Sequence, residues 1–210
     1  MMRLHHLADS RSQRVLWMLE EIGLDYEVVR YERDPATRFA PEALKAIHPL
    51  GKSPVLEDGE RRIAESGAIL DYLVRRHGAG RFAPPYDSDA YDDYQHWMHY
   101  GEASLMLPLI LLLYVMRLGE AGAPLHPRIE SEIATHLAYV ERRLAHREFL
   151  LGQDFTAADV QVSFALEAAR GFGKLQAYPA AAAYLDRLEA RPAFRRALER
   201  GGTFALGPRS

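Results

Sequence analysis

Two neighbouring segments, Gly51-Lys52-Ser53-Pro54-Val55-Leu56-Glu57-Asp58-Gly59 and Glu65-Ser66-Gly67-Ala68-Ile69, decide how this chain is read. In the first, a proline opens a short β-rich run that passes through the turn Glu57-Asp58-Gly59-Glu60 into a second run, Arg61 to Ala64. Proline has no N–H to give to a strand ladder, so it stands at an edge or an opening. Two readings of Pro54 stay open: an ordinary edge-strand proline, or a cis proline that turns the N–H and C=O of Ser53 outward to pair with an extended peptide. In the second segment a strand ends and a helix begins at Glu65-Ser66. The serine hydroxyl and the free N–H groups of the first helical turn favour a carboxylate, and Glu65 favours an ammonium. A carboxylate and an ammonium a few ångströms apart describe an α-amino acid group. The structural alternative is that Ser66 only caps the helix and Glu65 is a first-turn acid.

Working outward, the stretch from Leu4 to Gly78 alternates quickly between short apolar runs and helical ones, as an α/β unit with brief connections does. Arg11 to Gly23 carries Val15, Met18, Leu19 and Ile22 at helical spacing, with Gly23 as a stop. Tyr26 to Tyr31 is short and β-rich, and Ser66 to His77 is helical, so the order reads β-α-β-α-β-β-α. The glycines and prolines of 79–87 mark a linker between a domain at 1–78 and an all-helical domain at 88–210. Helices are expected there at 88–119, 126–147, 157–171, 179–190 and 192–200.

Composition narrows the function. Hydrophobic residues make up 48% and charged residues 26% of 210, enough to bury a core. A net charge of -3, mixed in sign along the chain, gives no electrostatic reason to expect nucleic acid. There is no cysteine, which removes disulfides, thiolate metal sites and a protein-borne thiol nucleophile. Any thiol chemistry uses a substrate's sulfur. Met1 to Leu7 lacks a signal peptide's apolar stretch, so the cytoplasm is expected. The run Leu105 to Met116 contains Pro108 and falls well short of the roughly 20 apolar residues that span a bilayer. It reads as a buried helix, and no membrane is expected as a partner.

Ser10 opens the first helix, and Ser10-Arg11-Ser12-Gln13 fits the Ser-x-x-Gln capping pattern. A hydroxyl at the positive end of a helix is also suited to hydrogen-bonding a bound thiolate. A free thiol ionises near pH 8.5, and each unit by which a helix N-terminus or cation lowers that value is about 1.36 kcal/mol.

Together these residues resemble the glutathione transferase superfamily over nearly the whole chain. His48-Pro49-Leu50-Gly51-Lys52-Ser53-Pro54-Val55-Leu56 is similar to the family's Asn-Pro-x-Gly-Lys-Val-Pro-x-Leu segment, and Glu65-Ser66-Gly67-Ala68-Ile69 to its Glu/Gln-Ser-x-Ala-Ile segment. Gly152-Gln153-Asp154-Phe155-Thr156-Ala157-Ala158-Asp159 is similar to its Gly-x-x-Phe-Thr-x-Ala-Asp signature, in which Thr156 would cap a helix and Asp159 reciprocate. The resemblance implies a thioredoxin-like domain followed by a helical one, with glutathione as co-substrate. It further implies that Pro54 is cis, that Ser53 offers its backbone to the cysteinyl part, and that Glu65 and Ser66 hold the γ-glutamyl end. Lys52 would face the glycyl carboxylate, and Ser10 would be the catalytic hydroxyl. Ser12, Arg11 and a backbone amide share that candidate role, and His6 stands near the place of the hydroxyl in tyrosine-type members. His48 and Ser53 depart from the family's asparagine and valine.

The implied reaction is attack of the glutathione thiolate on a small hydrophobic electrophile or a peroxide, in a homodimer. Two alternatives stay open: a non-catalytic binding protein on the same fold, and a glutathione-dependent isomerase or dehalogenase. Residues of the helix at 88–119, Tyr94 to Glu102, are candidates to line the electrophile's pocket. His96, His99 and Glu102 have a spacing that suits a solvated or pocket-lining face better than a metal site, so no metal is expected. Arg142-Arg143 and Arg195-Arg196 read as solvent-facing pairs.

Overall fold

The computed structural model describes residues 1–202, so positions 203–210 of the helical domain expected at 88–210 lie outside the described residues. In chain order come β1 (Met2–Leu7), α1 (Ser12–Ile22), β2 (Tyr26–Tyr31), α2 (Ala43–Ile47), β3 (Val55–Asp58), β4 (Arg61–Ala64) and α3 (Ser66–His77). Then follow α4 (Asp89–Glu102), α5 (Met106–Val115), a 3-10 segment (Met116–Leu125), α6 (His126–Leu144), α7 (Ala157–Gly171), α8 (Pro179–Glu189) and α9 (Pro192–Gly201). The described residues form two compact units, one of 1–81 with 190–202 and one of 82–189.

In the first unit the sheet runs β2-β1-β3-β4, with the order β-α-β-α-β-β-α realised element by element. β1 pairs with β2 in parallel, Met2 opposite Tyr26, and α1 makes the crossover that a parallel pair requires. β3 returns antiparallel to β1, and β3 and β4 close a hairpin with Asp58 opposite Arg61. Leu4, Val15, Leu16, Leu19, Leu56, Ile69, Leu70 and Leu73 are fully buried and form the core. Gly23 ends α1 at φ 84°, a left-handed conformation that costs glycine little.

α9 belongs to this unit. Its Phe194 ring stands edge-on to Trp17 of α1 at 5.1 Å. Arg191 holds Glu21 at 2.6 Å, and Arg196 and Arg200 both hold Glu20, at 2.8 and 3.2 Å. Arg200 also lies 3.9 Å above the Tyr26 ring. Arg196 is therefore an anchor of α9 while, like Arg195, it faces solvent as expected.

In the second unit α7 is the central helix, with every residue from Ala157 to Ala169 buried, the polar Asp159, Gln161, Ser163 and Glu167 among them. Gly101 lets α4 approach it: a Cβ there would stand 3.0 Å from Val162 Cγ2 and 3.3 Å from its Cα. The Thr156–Asp159 capping box forms. Asp159 accepts four hydrogen bonds, from Leu150 N, Thr156 N, Thr156 Oγ1 and Tyr184 OH at 2.7–3.1 Å.

Two expectations about this unit are corrected. The helix expected at 88–119 is two helices: α4 stops at Glu102, and α5 starts two residues before Pro108, whose ring and missing N–H forbid continuation from the preceding turn. Nor is Leu105 to Met116 a buried helix. Leu109 and Leu112 are buried, but Leu107, Leu111, Tyr114 and Met116 are exposed. One helical run, Asp89–Leu144, is long and apolar enough on length and composition to cross a membrane. It is interrupted at 103–105 and by non-helical Gly119, and α5 itself has 10 residues, about 15 Å at the usual rise per residue.

Candidate functional site

The loop from β1 to α1 is pinned from below. Arg33, just past β2, donates to Ala8 O at 2.9 Å, Asp9 O at 3.0 Å and Arg38 O at 3.0 Å, and Arg38 pairs with the Asp9 carboxylate at 2.7 Å. Ser10 thereby enters α1 from a fixed position. The Ser10–Gln13 capping box is not made: the Ser10 hydroxyl accepts the N–H of Ser12 at 3.2 Å, and both amide atoms of buried Gln13 lack a hydrogen-bond partner. Ser10 is left with a hydroxyl engaged elsewhere.

That hydroxyl lies 2.7 Å from Ser12 Oγ and 3.5 Å from Ser53 Oγ. Ser12 Oγ is 2.8 Å from His6 Nδ1, and His6 Nε2 is 3.0 Å from the carbonyl oxygen of Gly201 on α9. Ser53 Oγ donates to His5 O at 2.9 Å and accepts Leu7 N–H at 3.1 Å, which ties the segment before β3 to β1. The Ser53–Pro54 bond is cis. Ser10, Ser12 and His6 are all buried. Burial is the main cause that lowers the His6 pKa, with Arg30 acting in the same sense and the Gly201 hydrogen bond, Glu32 and Asp9 against it. The resting ring is neutral at pH 7.

His48 takes over an asparagine's local work. Its C=O accepts Gly51 N–H at 2.8 Å and its Nδ1 accepts Leu50 N–H at 3.4 Å, two residues on, as the side chain of an Asx-turn does. Gly51 sits at φ 58°, and a Cβ there would stand 2.7 Å from Lys45 Cγ. Lys52 follows at an exposed position, and no hydrogen bond joins it to the other candidates.

Glu65 stands at φ 69° and ψ 119°, a conformation that costs a non-glycine residue energy and is concentrated at ligand sites. It is exposed, while Ser66 beside it is buried and accepts a hydrogen bond from Arg14 Nη1 at 3.1 Å. Arg14 is 1% exposed, so a guanidinium lies beneath the first turn of α3. Its charge adds to the N-terminal end of that helix, and both favour an anion. The loop residue Ser10 and the first turn of α1 therefore reach both binding segments, Ser10 touching Ser53 and Arg14 touching Ser66. Arg33, the carbonyl of Gly201 and the contact of Arg14 with Ser66 escape a reading by motif. The interval from Ser10 to Arg14 marks the arginine in the sequence but not its partner.

In the second unit His96 Nε2 lies 3.1 Å from Tyr139 OH, within a ring cluster with Trp97 and Tyr100. Among the described residues no group of three His, Cys, Asp or Glu side chains is placed to hold a metal. Arg143 donates to Leu150 O and pairs with Asp93 at 2.7 Å while lying over Trp97, so it too is not a free surface cation.

Residues 1–75 match the profile of the glutathione S-transferase N-terminal domain, and residues 123–187 that of the C-terminal domain. Glutathione S-transferase 3 of Schizosaccharomyces pombe is 36% identical over 95% of this chain and 88% of its own length. A crystal structure of a glutathione S-transferase from Actinobacillus pleuropneumoniae aligns at a TM-score of 0.87, with 35% identity over 97% of this chain and 94% of that one. A sphingomonad glutathione S-transferase solved with glutathione aligns at 0.79, with 25% identity over 95% and 98% of the two chains.

Proposed function

From the premise that this chain belongs to the glutathione S-transferase family, we propose that its first unit binds glutathione and that Ser10 donates a hydrogen bond to the ionised thiol. The tripeptide's cysteinyl part pairs with the backbone of Ser53 ahead of Pro54, its γ-glutamyl end meets Glu65 and Ser66, and Lys52 faces its glycyl carboxylate. The observation that carries this reading is the reach of the segment entering α1: the Ser10 hydroxyl against Ser53 two residues before the helix, and the buried Arg14 guanidinium of its first turn against Ser66. An anionic α-carboxylate at Ser66 and a thiolate near Ser10 each meet a helix N-terminus, where negative charge is favoured.

The thiolate then attacks a small hydrophobic electrophile or a peroxide, so catalysis is activation and positioning of a nucleophile the protein borrows. Detoxification is the role that suits such chemistry. A cytoplasmic homodimer is the proposed setting. Calorimetry with glutathione, followed by conjugation of a chlorinated nitroaromatic, tests the reading on the wild type and on Ser66→Ala side by side. Binding and turnover in the wild type with sharply weaker binding in the variant are expected. No binding at millimolar glutathione would favour a non-catalytic protein that keeps only the fold.

A further inference from the structure

The line from the glutathione site into the first unit can be followed by its hydrogens. With a sulfur atom against Ser10 there are three gaps: sulfur to Ser10 Oγ, Ser10 Oγ to Ser12 Oγ at 2.7 Å, and Ser12 Oγ to His6 Nδ1 at 2.8 Å. At the far end the Gly201 carbonyl only accepts, so the 3.0 Å contact places a hydrogen on His6 Nε2 and leaves Nδ1 of the neutral ring bare. The side contacts, Ser10 Oγ to Ser53 Oγ at 3.5 Å and Ser12 Oγ to Leu7 O at 3.4 Å, are longer than the main line.

With a thiol bound, the sulfur's hydrogen fills the first gap, Ser10 donates to Ser12, and Ser12 donates to Nδ1. Every gap holds one hydrogen. With a thiolate bound and the ring neutral, two hydroxyl hydrogens serve three gaps, and two lone pairs face each other in a buried place, where an unmade hydrogen bond is costly. A hydrogen on Nδ1 removes that defect.

The geometry points to His6 Nδ1 as the receiver of the proton released when bound glutathione ionises, delivered through Ser10 and Ser12. This rests on the reading of Ser10 as the partner of the thiol. The S–H bond breaks and its proton goes to Ser10 Oγ, whose own proton passes to Ser12 Oγ, whose own passes to Nδ1. What results is a thiolate, two hydroxyls now donating outward, and an imidazolium bonded to Ser12 and to the Gly201 carbonyl. One proton has moved and no co-reactant is needed. His6 and Ser12 are positioning residues that act through Ser10.

The charged groups around His6 are Arg30 on β2, Glu32 beyond its end and Asp9 in the loop before α1. Its α1 neighbours contribute Ser12 and Gln13, and α9 contributes the Gly201 carbonyl. Burial lowers the ring's proton affinity, and the Gly201 carbonyl, Glu32 and Asp9 are the groups that act the other way and would support the imidazolium.

The test titrates the ultraviolet absorbance of the glutathione thiolate on the wild type and on Ser10→Ala, Ser12→Ala and His6→Gln. Glutamine accepts from Ser12 but takes up no proton, and Ser12→Ala removes one atom should His6→Gln fail to fold. Ser12→Ala and His6→Gln are each expected to raise the apparent pKa of the bound thiol by about one unit, a tenfold loss of thiolate on the acid side. A raised value in Ser10→Ala alone would overturn the relay and leave the role of Ser10 standing. An unchanged value in Ser10→Ala would remove that role and the relay with it.

Discussion

Gly201→Ala sets two effects of opposite sign against each other. Gly201 lies in the last turn of α9 with a helical backbone, and alanine in a helix is worth at most about 1 kcal/mol over glycine. On propensity alone the variant is more stable. The packing says otherwise: a Cβ there overlaps Leu16 Cδ1 and stands 3.1 Å from Gln13 Oε1 and 3.3 Å from His6 Cε1. Leu16 is fully buried and Gln13 and His6 nearly so, which leaves them little room to yield. Overpacking of this kind costs about 1–3 kcal/mol. With the propensity gain taken at its full value the difference is a net destabilisation of up to about 2 kcal/mol, and for a chain of this size that lowers Tm by up to roughly 8 °C. Differential scanning calorimetry measures it. A higher Tm, the outcome of propensity alone, would refute the seating of α9 on α1 and, with it, the carbonyl that holds the His6 tautomer.

Asp159→Ala leaves three separate donor residues of the second unit without an acceptor; at about 1–3 kcal/mol for each buried donor the expected outcome is loss of soluble folded protein, and near-wild-type expression and Tm would contradict it. Burial pushes the Glu20 carboxyl up, but hydrogen bonds from Arg196, Tyr26 and Arg200 outweigh it and hold the pKa below its ordinary value. Because the folded value is the lower one, the clamp's contribution is present above the unfolded pKa and is lost as pH falls through the folded one. Wild-type Tm is therefore expected to drop more steeply than that of Glu20→Gln as the pH is lowered below about 4.5, and parallel curves would argue against the clamp. Arg14→Met keeps most of the buried volume but removes the cation under Ser66; calorimetry should show glutathione affinity falling by roughly tenfold or more, the size of one charge-assisted hydrogen bond, and an unchanged Kd would detach Arg14 from the site.

The alternating order of the first unit was legible because its elements switch period cleanly: Val15, Met18, Leu19 and Ile22 repeat as a helix, and Arg61 to Ala64 follow a glycine turn as a strand. The capping box at Thr156 was legible for the same reason, since both of its partners lie within four residues. What lay beyond reach involves long separations. Nothing in the amphipathic pattern of α9 says that its arginines meet Glu20 and Glu21 some 170 residues earlier in the chain. The Ser10–Gln13 pattern failed because Arg33 and Arg38 hold the preceding loop where the Ser10 hydroxyl meets Ser12 and Ser53 instead. The apolar run at Leu105 misled because apolar composition reports an affinity for burial and does not name the surface that supplies it.

The central claim is that the first unit holds glutathione with its sulfur against Ser10. A crystal structure of the protein with bound glutathione measures this directly. The account predicts the sulfur within hydrogen-bond reach of Ser10 Oγ, the cysteinyl backbone paired with Ser53 and the γ-glutamyl carboxylate at Ser66. A tripeptide seated elsewhere, or in this cleft with its sulfur turned away from Ser10, would contradict it.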